Sequence, residues 1–206
     1  MKVLLINGSP HEKGCTYTAL SLIAGELKAQ GIETEILHVG GQPVGGCIGC
    51  GGCRSGNGCV FGGVVNEAIE KAKTADAFVF GSPVHYASAS GNMTSFMDRL
   101  AYAGGKYLAY KPAAICCSAR RAGTTTTLDQ LVKYPQFFHM PLVNGSYWAM
   151  VHGSNPEQVL QDAEGCAVMQ ELGRNMAWLL RCIEAGKAAG IDHPQNPPRP
   201  MTNFIH

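Results

Sequence analysis

Apolar residues gather in short runs that predict the strands of a sheet. Residues 3–6, 77–80 and 113–117 are continuous apolar stretches. Such runs are typical of strands buried on both faces of a parallel sheet. Residues 32–39 alternate between apolar and polar positions and predict a second strand, and a further strand is predicted around residues 142–150. The chain therefore carries five predicted strands.

Helical periodicity fills the intervals between these strands. Leu20, Ile23 and Leu27 recur at helical spacing, which predicts a helix that ends near Gly31. Further helices are predicted over residues 64–73, near residues 93–102, from residues 124–127 onward, and over residues 156–187. The alternation predicts an α/β fold, a doubly wound five-stranded parallel sheet with helices on both faces. Ligands should bind where the loops after strands one, three and four converge.

The length and the final segment define the domain organisation. A chain of 206 residues is long enough for one well-buried domain. We assign that domain to residues 1–190. Residues 191–206 are rich in Pro and Asn and show no periodicity, which predicts a C-terminal tail or a surface arm.

Charge and composition exclude several classes of partner. The formal net charge is +1 and only 15% of residues are charged, so no basic face for nucleic acid or for a membrane surface is expected. The sequence shows neither a signal peptide nor an apolar stretch long enough to span a membrane. We therefore expect a cytoplasmic protein whose partners are small molecules or other proteins.

The densest chemistry lies in a glycine-rich segment, residues 46–60, which we term the cysteine loop. Its four cysteines, spaced C-x2-C-x2-C-x5-C, are Cys47, Cys50, Cys53 and Cys59. This spacing favours an iron–sulfur cluster over structural zinc, which more often uses two separated C-x2-C pairs. Free or redox-active thiols remain an alternative. Cys116, Cys117, Cys166 and Cys182 lie in apolar surroundings and are predicted to fill the core.

The loop after the first strand has the character of an anion site. It runs from Ser9 to Thr16 and offers hydroxyls and backbone N–H groups at the start of a helix. The order of Lys13 and Gly14 excludes a Walker A loop, and no G-x-G-x-x-G follows the strand. A monophosphate such as that of FMN is the favoured ligand. Ser9 and Thr16 could instead only cap a turn and a helix.

Two further loops could surround a flat ring. Pro83 and the aromatic residues after it follow the third strand and could form its wall. The segment at residues 118–124 follows the fourth strand and offers guanidinium groups and hydroxyls. Packing or capping roles would also account for both loops. Arg99, which follows Asp98 at the end of a helix, is predicted to form a surface ion pair.

Taken in order, these segments resemble the flavodoxin-like superfamily of NAD(P)H-dependent FMN reductases, and within it the iron–sulfur flavoproteins. The resemblance covers residues 1–153. It rests on the Gly8-Ser9-Pro10 loop ending in Thr16, the cysteine motif, the Gly81-Ser82-Pro83 and Tyr86 loop leading to residues 96–99, and residues 120–124. The resemblance implies FMN phosphate contacts from Ser9, Lys13, Gly14, Cys15 and Thr16. It implies ring contacts from Pro83, Val84, His85, Tyr86, Ser118, Arg120, Arg121 and Gly123.

The leading hypothesis is an FMN oxidoreductase that exchanges electrons between the flavin and a [4Fe-4S] cluster on the four cysteines. No side chain is expected to act as nucleophile or base. The donor could be NAD(P)H or a reduced ferredoxin, and the resemblance implies a homodimer or homotetramer. One alternative is a cluster-free NAD(P)H-dependent reductase of FMN, quinones or nitro compounds. Another is a flavin-free module that binds zinc or senses redox state through its thiols.

Overall fold

A computed structural model describes residues 1–198, 200 and 202 of the chain. Its strands are β1 (Lys2–Asn7), β2 (Glu33–His38), β3 (Ala77–His85), β4 (Ser88–Ala89), β5 (Ala113–Ala119) and β6 (Met150–His152). Its α-helices are α1 (Cys15–Ala29), α2 (Val64–Thr74), α3 (Gly91–Gly104), α4 (Thr124–Phe137), α5 (Pro156–Val159) and α6 (Ala163–Ala188). None of the helices described is both long and apolar enough to cross a bilayer.

The sheet follows the order β2-β1-β3-β5-β6, and every neighbouring pair in that series is parallel. The short β4 pairs antiparallel with the end of β3 and forms a hairpin beside the main sheet. The predicted five-stranded parallel sheet is therefore confirmed. Strand order reverses between β1 and β3, so the crevice at their carboxyl ends is where such folds bind ligands.

Side chains that alternate along the strands form two separate cores. Leu5 packs on one face of the sheet with side chains of α1 and α6, whereas Ile6 packs on the other face with side chains of α2 and α3. The same alternation places Val79 and Phe80 on opposite faces. Both faces are thus covered, which confirms the prediction of helices on each side and explains why the strand sequences are continuously apolar.

Two predicted elements are wrong in extent. The helix predicted over residues 156–187 is divided, because Asp162 caps the start of α6 by accepting the N–H of Gly165 at 2.9 Å. The last strand includes only residues 150–152, and Leu142 forms an isolated bridge to Ala113. Asn144 and Gly145 interrupt the apolar pattern between these two pairings.

The four cysteines predicted to fill the core divide into two groups. Cys116 and Cys117 are buried, as predicted. Cys166 is only half-buried and Cys182 is exposed, so that prediction is wrong for these two residues. Cys182 lies on α6, whose core-facing positions include Met176 and Leu180; its own position faces solvent.

The described part of the last segment lies against the domain. His193 stacks on the ring of Tyr110 with centroids 4.3 Å apart, and Asn196 donates to Tyr110 Oη at 2.6 Å. Residues 191–198 contain neither helix nor strand. Residues 199, 201 and 203–206 of the predicted tail lie outside the described residues, and the division at residue 190 stays a prediction.

Candidate functional site

We term residues 8–16, the loop after β1, the phosphate loop. The side chain of Asn7, the last residue of β1, holds its backbone. This side chain is fully buried, and its Nδ2 donates to Glu12 O at 2.9 Å while its Oδ1 accepts from Ser9 N at 3.1 Å. Ser9 Oγ in turn accepts from His11 N at 3.1 Å. The polar groups inside the turn are therefore paired, which holds the loop in one conformation.

The start of α1 leaves backbone donors directed at the end of the sheet. Gly14 occupies the N-cap position, no side chain in the described part of the chain caps it, and the first turn contains no acidic residue. Lys13 is exposed beside this helix start, and Cys15 begins the helix. N–H groups without a side-chain cap and the positive end of a helix dipole attract an anion.

Two of the residues predicted to contact the cofactor are joined by a hydrogen bond between their hydroxyls. Thr16 Oγ1 and Ser118 Oγ lie 2.8 Å apart, and both residues are buried. This hydrogen bond joins the phosphate loop to the end of β5. The Ser9 hydroxyl thus fills the turn-capping role left open by the sequence, whereas the Thr16 hydroxyl pairs with β5 and does not cap α1.

The hairpin between β3 and β4 contains the predicted ring-binding residues after the third strand. Pro83 and Val84 are half-buried, whereas His85 and Tyr86 are exposed. Tyr86 and Ala87 form the two-residue turn with φ of 50° and 58°. Turns of this kind favour Asn and Gly, so the Tyr-Ala pair stores strain. The Tyr86 ring is fully exposed at this end of the sheet.

The loop after β5 packs against that hairpin. Gly123 adopts φ of 92°, and a Cβ at this position would lie 2.7 Å from Ala87 Cα. Thr126 Oγ1 donates to Ala87 O at 2.8 Å. Arg120 and Arg121 are exposed beside this contact. The structure therefore brings together the two loops predicted to hold a flat ring, and the hydroxyl pair above connects them to the phosphate loop.

The segment that leads from β2 into the cysteine loop lies next to the phosphate loop. His38 Nε2, at the end of β2, lies 2.8 Å from Ser9 O. Gly40 packs against the same backbone so closely that a Cβ would overlap Ser9 O. The segment that leads from β2 into the cysteine loop therefore packs on the phosphate loop at the carboxyl ends of β1 and β2.

Within the cysteine loop the four thiols differ in exposure. Cys47 and Cys50 are exposed, whereas Cys53 and Cys59 are half-buried. No group of three or more His, Cys, Asp or Glu side chains converges on a metal position among the described residues. The donor set itself, four thiols on a segment that contains no carboxylate, fits a soft metal or an iron–sulfur cluster in number and in kind.

Cys59 is the most firmly held of the four, and Arg99 accounts for part of this. Asn66, on α2, accepts from Cys59 N at 2.8 Å and donates to Cys59 O at 3.0 Å. Arg99 Nε donates to Cys59 Sγ at 3.3 Å. Arg99 is 6% exposed, so the prediction of a surface ion pair is wrong.

A cavity of about 680 Å³ lies between the phosphate loop and the two segments that flank the cysteine loop, residues 38–44 and 61–64. Pro10 and Glu12 line one side of it, and Phe61 and Arg99 line the other. A second cavity of about 440 Å³ lies between α4 and residues 142–149, and none of the predicted site residues lines it. The predicted site residues do not line the larger cavity either; it is formed by their sequence neighbours.

Comparison with known proteins supports this geometry. The family model described as NADPH-dependent FMN reductase matches residues 1–155. The chain belongs to this family. An iron-sulfur flavoprotein of Methanocaldococcus jannaschii is 28% identical over 193 residues, which cover 89% of this chain and all of the relative.

Solved structures show that this chain has the flavodoxin-like fold. RosB, solved with 8-demethyl-8-formylriboflavin-5'-phosphate bound, superposes with a TM-score of 0.72 at 14% identity and covers 100% of this chain and 96% of its own. The NADH:FMN oxidoreductase EmoB in its apo form gives a TM-score of 0.61 at 18% identity and covers 88% of this chain and 89% of its own. At these identities the likeness shows the fold.

The groups available in this FMN reductase chain fit FMN. The uncapped start of α1 suits a phosphate monoester. A Cβ placed at Gly123 would lie 2.9 Å from Val84 Cγ1, which is closer than van der Waals contact, so the loops after β3 and β5 leave no room between them at their base. The side chains predicted to contact the ring therefore lie around a shared rim, at the same edge of the sheet as the phosphate loop.

Several polar residues that organise the site are missed by sequence reasoning. Asn7 carries a usable signal, because it is the first polar residue after a buried apolar run. Ser90 caps α3 by accepting from Met93 N at 3.2 Å and donates to Gly8 O at 2.7 Å, which ties α3 to the phosphate loop. Asn66 gives no sequence signal, since its partner is defined only by the fold.

Proposed function

We propose that the chain is an FMN-dependent oxidoreductase that passes electrons between FMN and a [4Fe-4S] cluster. The cluster would be held by Cys47, Cys50, Cys53 and Cys59. The observation that carries the proposal is the contact between the phosphate loop and the segment that leads from β2 into the cysteine loop, marked by the 2.8 Å distance between His38 Nε2 and Ser9 O. Electron transfer between two centres requires them to be close, and the name of the M. jannaschii relative pairs the same two centres.

Each predicted residue has a physical role in this proposal. The N–H groups at Cys15 and Thr16 would bind the phosphate, together with that of Gly14 once it releases its 3.4 Å hydrogen bond to His11 O, and the Lys13 ammonium would neutralise part of its charge. Pro83, Val84, His85 and Tyr86 would contact one side of the ring, and Ser118, Arg120, Arg121 and Gly123 would surround its other edge. FMN when bound supplies the conversion between two-electron and one-electron transfer. The protein contributes binding and orientation.

The proposal extends to the partners of the chain. NAD(P)H or a reduced ferredoxin would supply electrons, and a small molecule would receive them. We further propose a cytoplasmic homodimer or homotetramer. Gel filtration with light scattering would test the assembly, and a monomer would contradict it.

Anaerobic purification followed by assays for FMN, iron and sulfide tests the central claim. We expect FMN together with iron and sulfide in equal amounts. Cys53→Ala should remove the broad visible absorbance of the cluster and retain FMN, because the phosphate loop contains no part of the mutated segment. Cys182→Ala, which changes an exposed thiol on α6, is the matched control and should keep both. An unchanged spectrum in Cys53→Ala would contradict the cluster.

A second candidate function is a cluster-free NAD(P)H-dependent reductase of FMN, quinones or nitro compounds. The observation that favours it is the lack of a converged metal position among the described residues. Rapid NADPH oxidation by metal-free, FMN-loaded protein in the presence of a quinone would support it. Colourless protein that binds stoichiometric zinc and takes up no FMN would overturn both candidates and favour a thiol module.

A further inference from the structure

Arg99 places a positive charge inside the domain, beside the cysteine loop. Its side chain is 6% exposed, and it takes part in none of the ion pairs found among the described residues. Its sequence neighbour Asp98 accepts from Tyr134 Oη at 2.6 Å instead. Burying a charge is costly unless other groups compensate it. The contacts of this guanidinium therefore indicate what it is for.

Two of those contacts join the beginning and the end of the cysteine loop. Arg99 Nη1 donates to Gly45 O at 3.3 Å, and Nη2 donates to Gly62 O at 3.0 Å. Gly45 precedes the first cysteine by two residues and Gly62 follows the last by three. The guanidinium thus closes the segment between them at its base. Its donors are held in a rigid planar fork, which a lysine ammonium cannot reproduce.

The third contact is with a sulfur atom. Arg99 Nε donates to Cys59 Sγ at 3.3 Å, while Asn66 holds the backbone of Cys59 on both sides. Cys59 is therefore restrained at both its main chain and its side chain. Cys47 and Cys50 are exposed, so the loop contains one thiol held in position and others that face solvent.

Helix α3, which carries Arg99, also holds the segment between β2 and the cysteine loop. Asn92 precedes Arg99 by two helical turns and so lies on the same face of α3. Its Nδ2 donates to Gly40 O and to Gln42 O, each at 3.0 Å, and its Oδ1 accepts from Val44 N at 3.1 Å. The segment before the cysteines is thus fixed by Asn92, and the cysteine loop by Arg99.

We infer that Arg99 is a positioning residue for the cluster: it closes the cysteine loop, holds Cys59 in place as a ligand, and donates a hydrogen bond to that sulfur. The part that concerns the cluster rests on the proposed function, whereas loop closure does not. Hydrogen bonds to ligand sulfurs and a nearby positive charge stabilise the more negative, reduced form of a cluster, so Arg99 should raise its reduction potential.

Amide hydrogen exchange of metal-free protein tests the closure. In Arg99→Gln the amides of residues 45–62 should exchange faster by about tenfold or more, as expected when hydrogen bonds from a charged donor are lost. Arg99→Lys should fall between this variant and the wild type. Arg54→Gln, which removes an exposed guanidinium from the same loop, should match the wild type. Wild-type exchange in Arg99→Gln would overturn the inference.

Reconstitution with iron and sulfide tests the role toward the cluster. Arg99→Gln should retain less iron than the wild type, and its remaining cluster should show a lower midpoint potential in a titration followed by electron paramagnetic resonance. Arg99→Lys keeps the charge and should restore part of that potential. An unchanged potential and iron content in both variants would overturn the inference. If wild-type protein takes up no iron, the proposed function fails, and hydrogen exchange alone decides loop closure. If Arg99→Gln does not fold by circular dichroism, Arg99→Lys carries both measurements.

Discussion

The phosphate loop and the cysteine loop follow neighbouring strands, yet they are built in opposite ways. The phosphate loop is organised from inside, since Asn7 is fully buried and Ser9 is 4% exposed, and both are hydrogen-bonded within the loop. The cysteine loop projects outward, and Ile48 and Val60 beside its cysteines are 69% and 61% exposed. It is fixed at its base by Arg99 and along its last residues by Asn66.

This difference matches the chemistry of the two proposed ligands. A phosphate is recognised by N–H groups that a helix start already presents, so its site can exist before the ligand binds. The thiolates that bind a metal repel one another when the metal is absent, and such sites commonly gain their final geometry on binding. The phosphate loop is thus preformed, whereas the cysteine loop is restrained only at its base and at Cys59.

The largest expected effect on stability comes from adding a side chain where the segment after β2 packs on the phosphate loop. In Gly40→Ala the new Cβ would overlap Ser9 O and lie 2.7 Å from Gly8 O, both of them backbone atoms of the preformed loop. Because the backbone must move, we expect a loss of about 2–3 kcal/mol in the free energy of unfolding, with weaker FMN binding. Urea titration and FMN fluorescence quenching would measure the two effects.

Gly45→Ala is the matched control for this substitution. A Cβ at Gly45 meets nothing within 4 Å, so stability should change by less than about 1 kcal/mol in either direction. If both variants lost the same stability, the contact between the segment after β2 and the phosphate loop would not be a rigid element of the fold.

Most of the fold can be predicted from the sequence because strands that are buried on both faces of the sheet have continuous apolar sequences. The segments that form β1, β3 and β5 are continuous apolar runs, and a strand covered on both faces is the usual structure of so short a run. The extent of the final strand is predicted wrongly because the residues 142–149 before it are apolar enough to suggest pairing. Whether they pair depends on backbone geometry around Gly145, which composition does not reveal.

The predicted site residues are brought to one edge of the sheet, but the role of Arg99 could not be read from its sequence neighbour. Consecutive residues on a helix point about 100° apart, so Asp98 and Arg99 do not face each other. The partners of Arg99 are 37 to 54 positions away along the chain. Only the docking of α3 against the cysteine loop brings them together, and no local pattern predicts that.

The second-largest expected effect is a difference in reactivity between two thiols, Cys15 of the phosphate loop and Cys47 of the cysteine loop. Burial raises the pKa of the Cys15 thiol, which donates to Gly153 O at 3.5 Å, whereas Cys47 is exposed. In metal-free protein we expect iodoacetamide at mildly alkaline pH to modify Cys47 about tenfold faster or more, since the thiolate is the reactive form. FMN should slow Cys15 further and leave Cys47 unchanged. Peptide mass spectrometry over time would give both rates.

The internal reference for that measurement is Cys117. Burial raises the pKa of its thiol to about 12, so it should react only after the protein unfolds. Equal rates for Cys15 and Cys47 in folded protein would remove the distinction between a preformed and an open loop.

The smallest expected effect is on the stability of the strands beneath both loops, so it should not distinguish one loop from the other. Glu35 of β2 pairs with Lys2 of β1 at 2.9 Å and with Lys71 of α2 at 2.6 Å. Hydrogen bonds from Lys71 and then Lys2 lower the pKa of the Glu35 carboxyl below its usual value. Its stabilisation is therefore present above the unfolded-state pKa and is lost as the pH falls through the lower, folded-state pKa. The pKa values of both lysines are raised, so they remain charged throughout the neutral range.

Glu35→Gln should lower the Tm by about 2 °C or less at neutral pH, since these charges are partly solvated and screened. The difference from wild type should shrink with added salt and disappear in acid, where the wild-type carboxyl is protonated too. FMN affinity and iron uptake should both stay unchanged, because the pair lies away from the carboxyl ends of the strands. A selective loss of iron uptake would instead mean that the cysteine loop depends on the position of α2, which carries Lys71 together with Asn66, and its restraint would then extend beyond the contacts of Arg99.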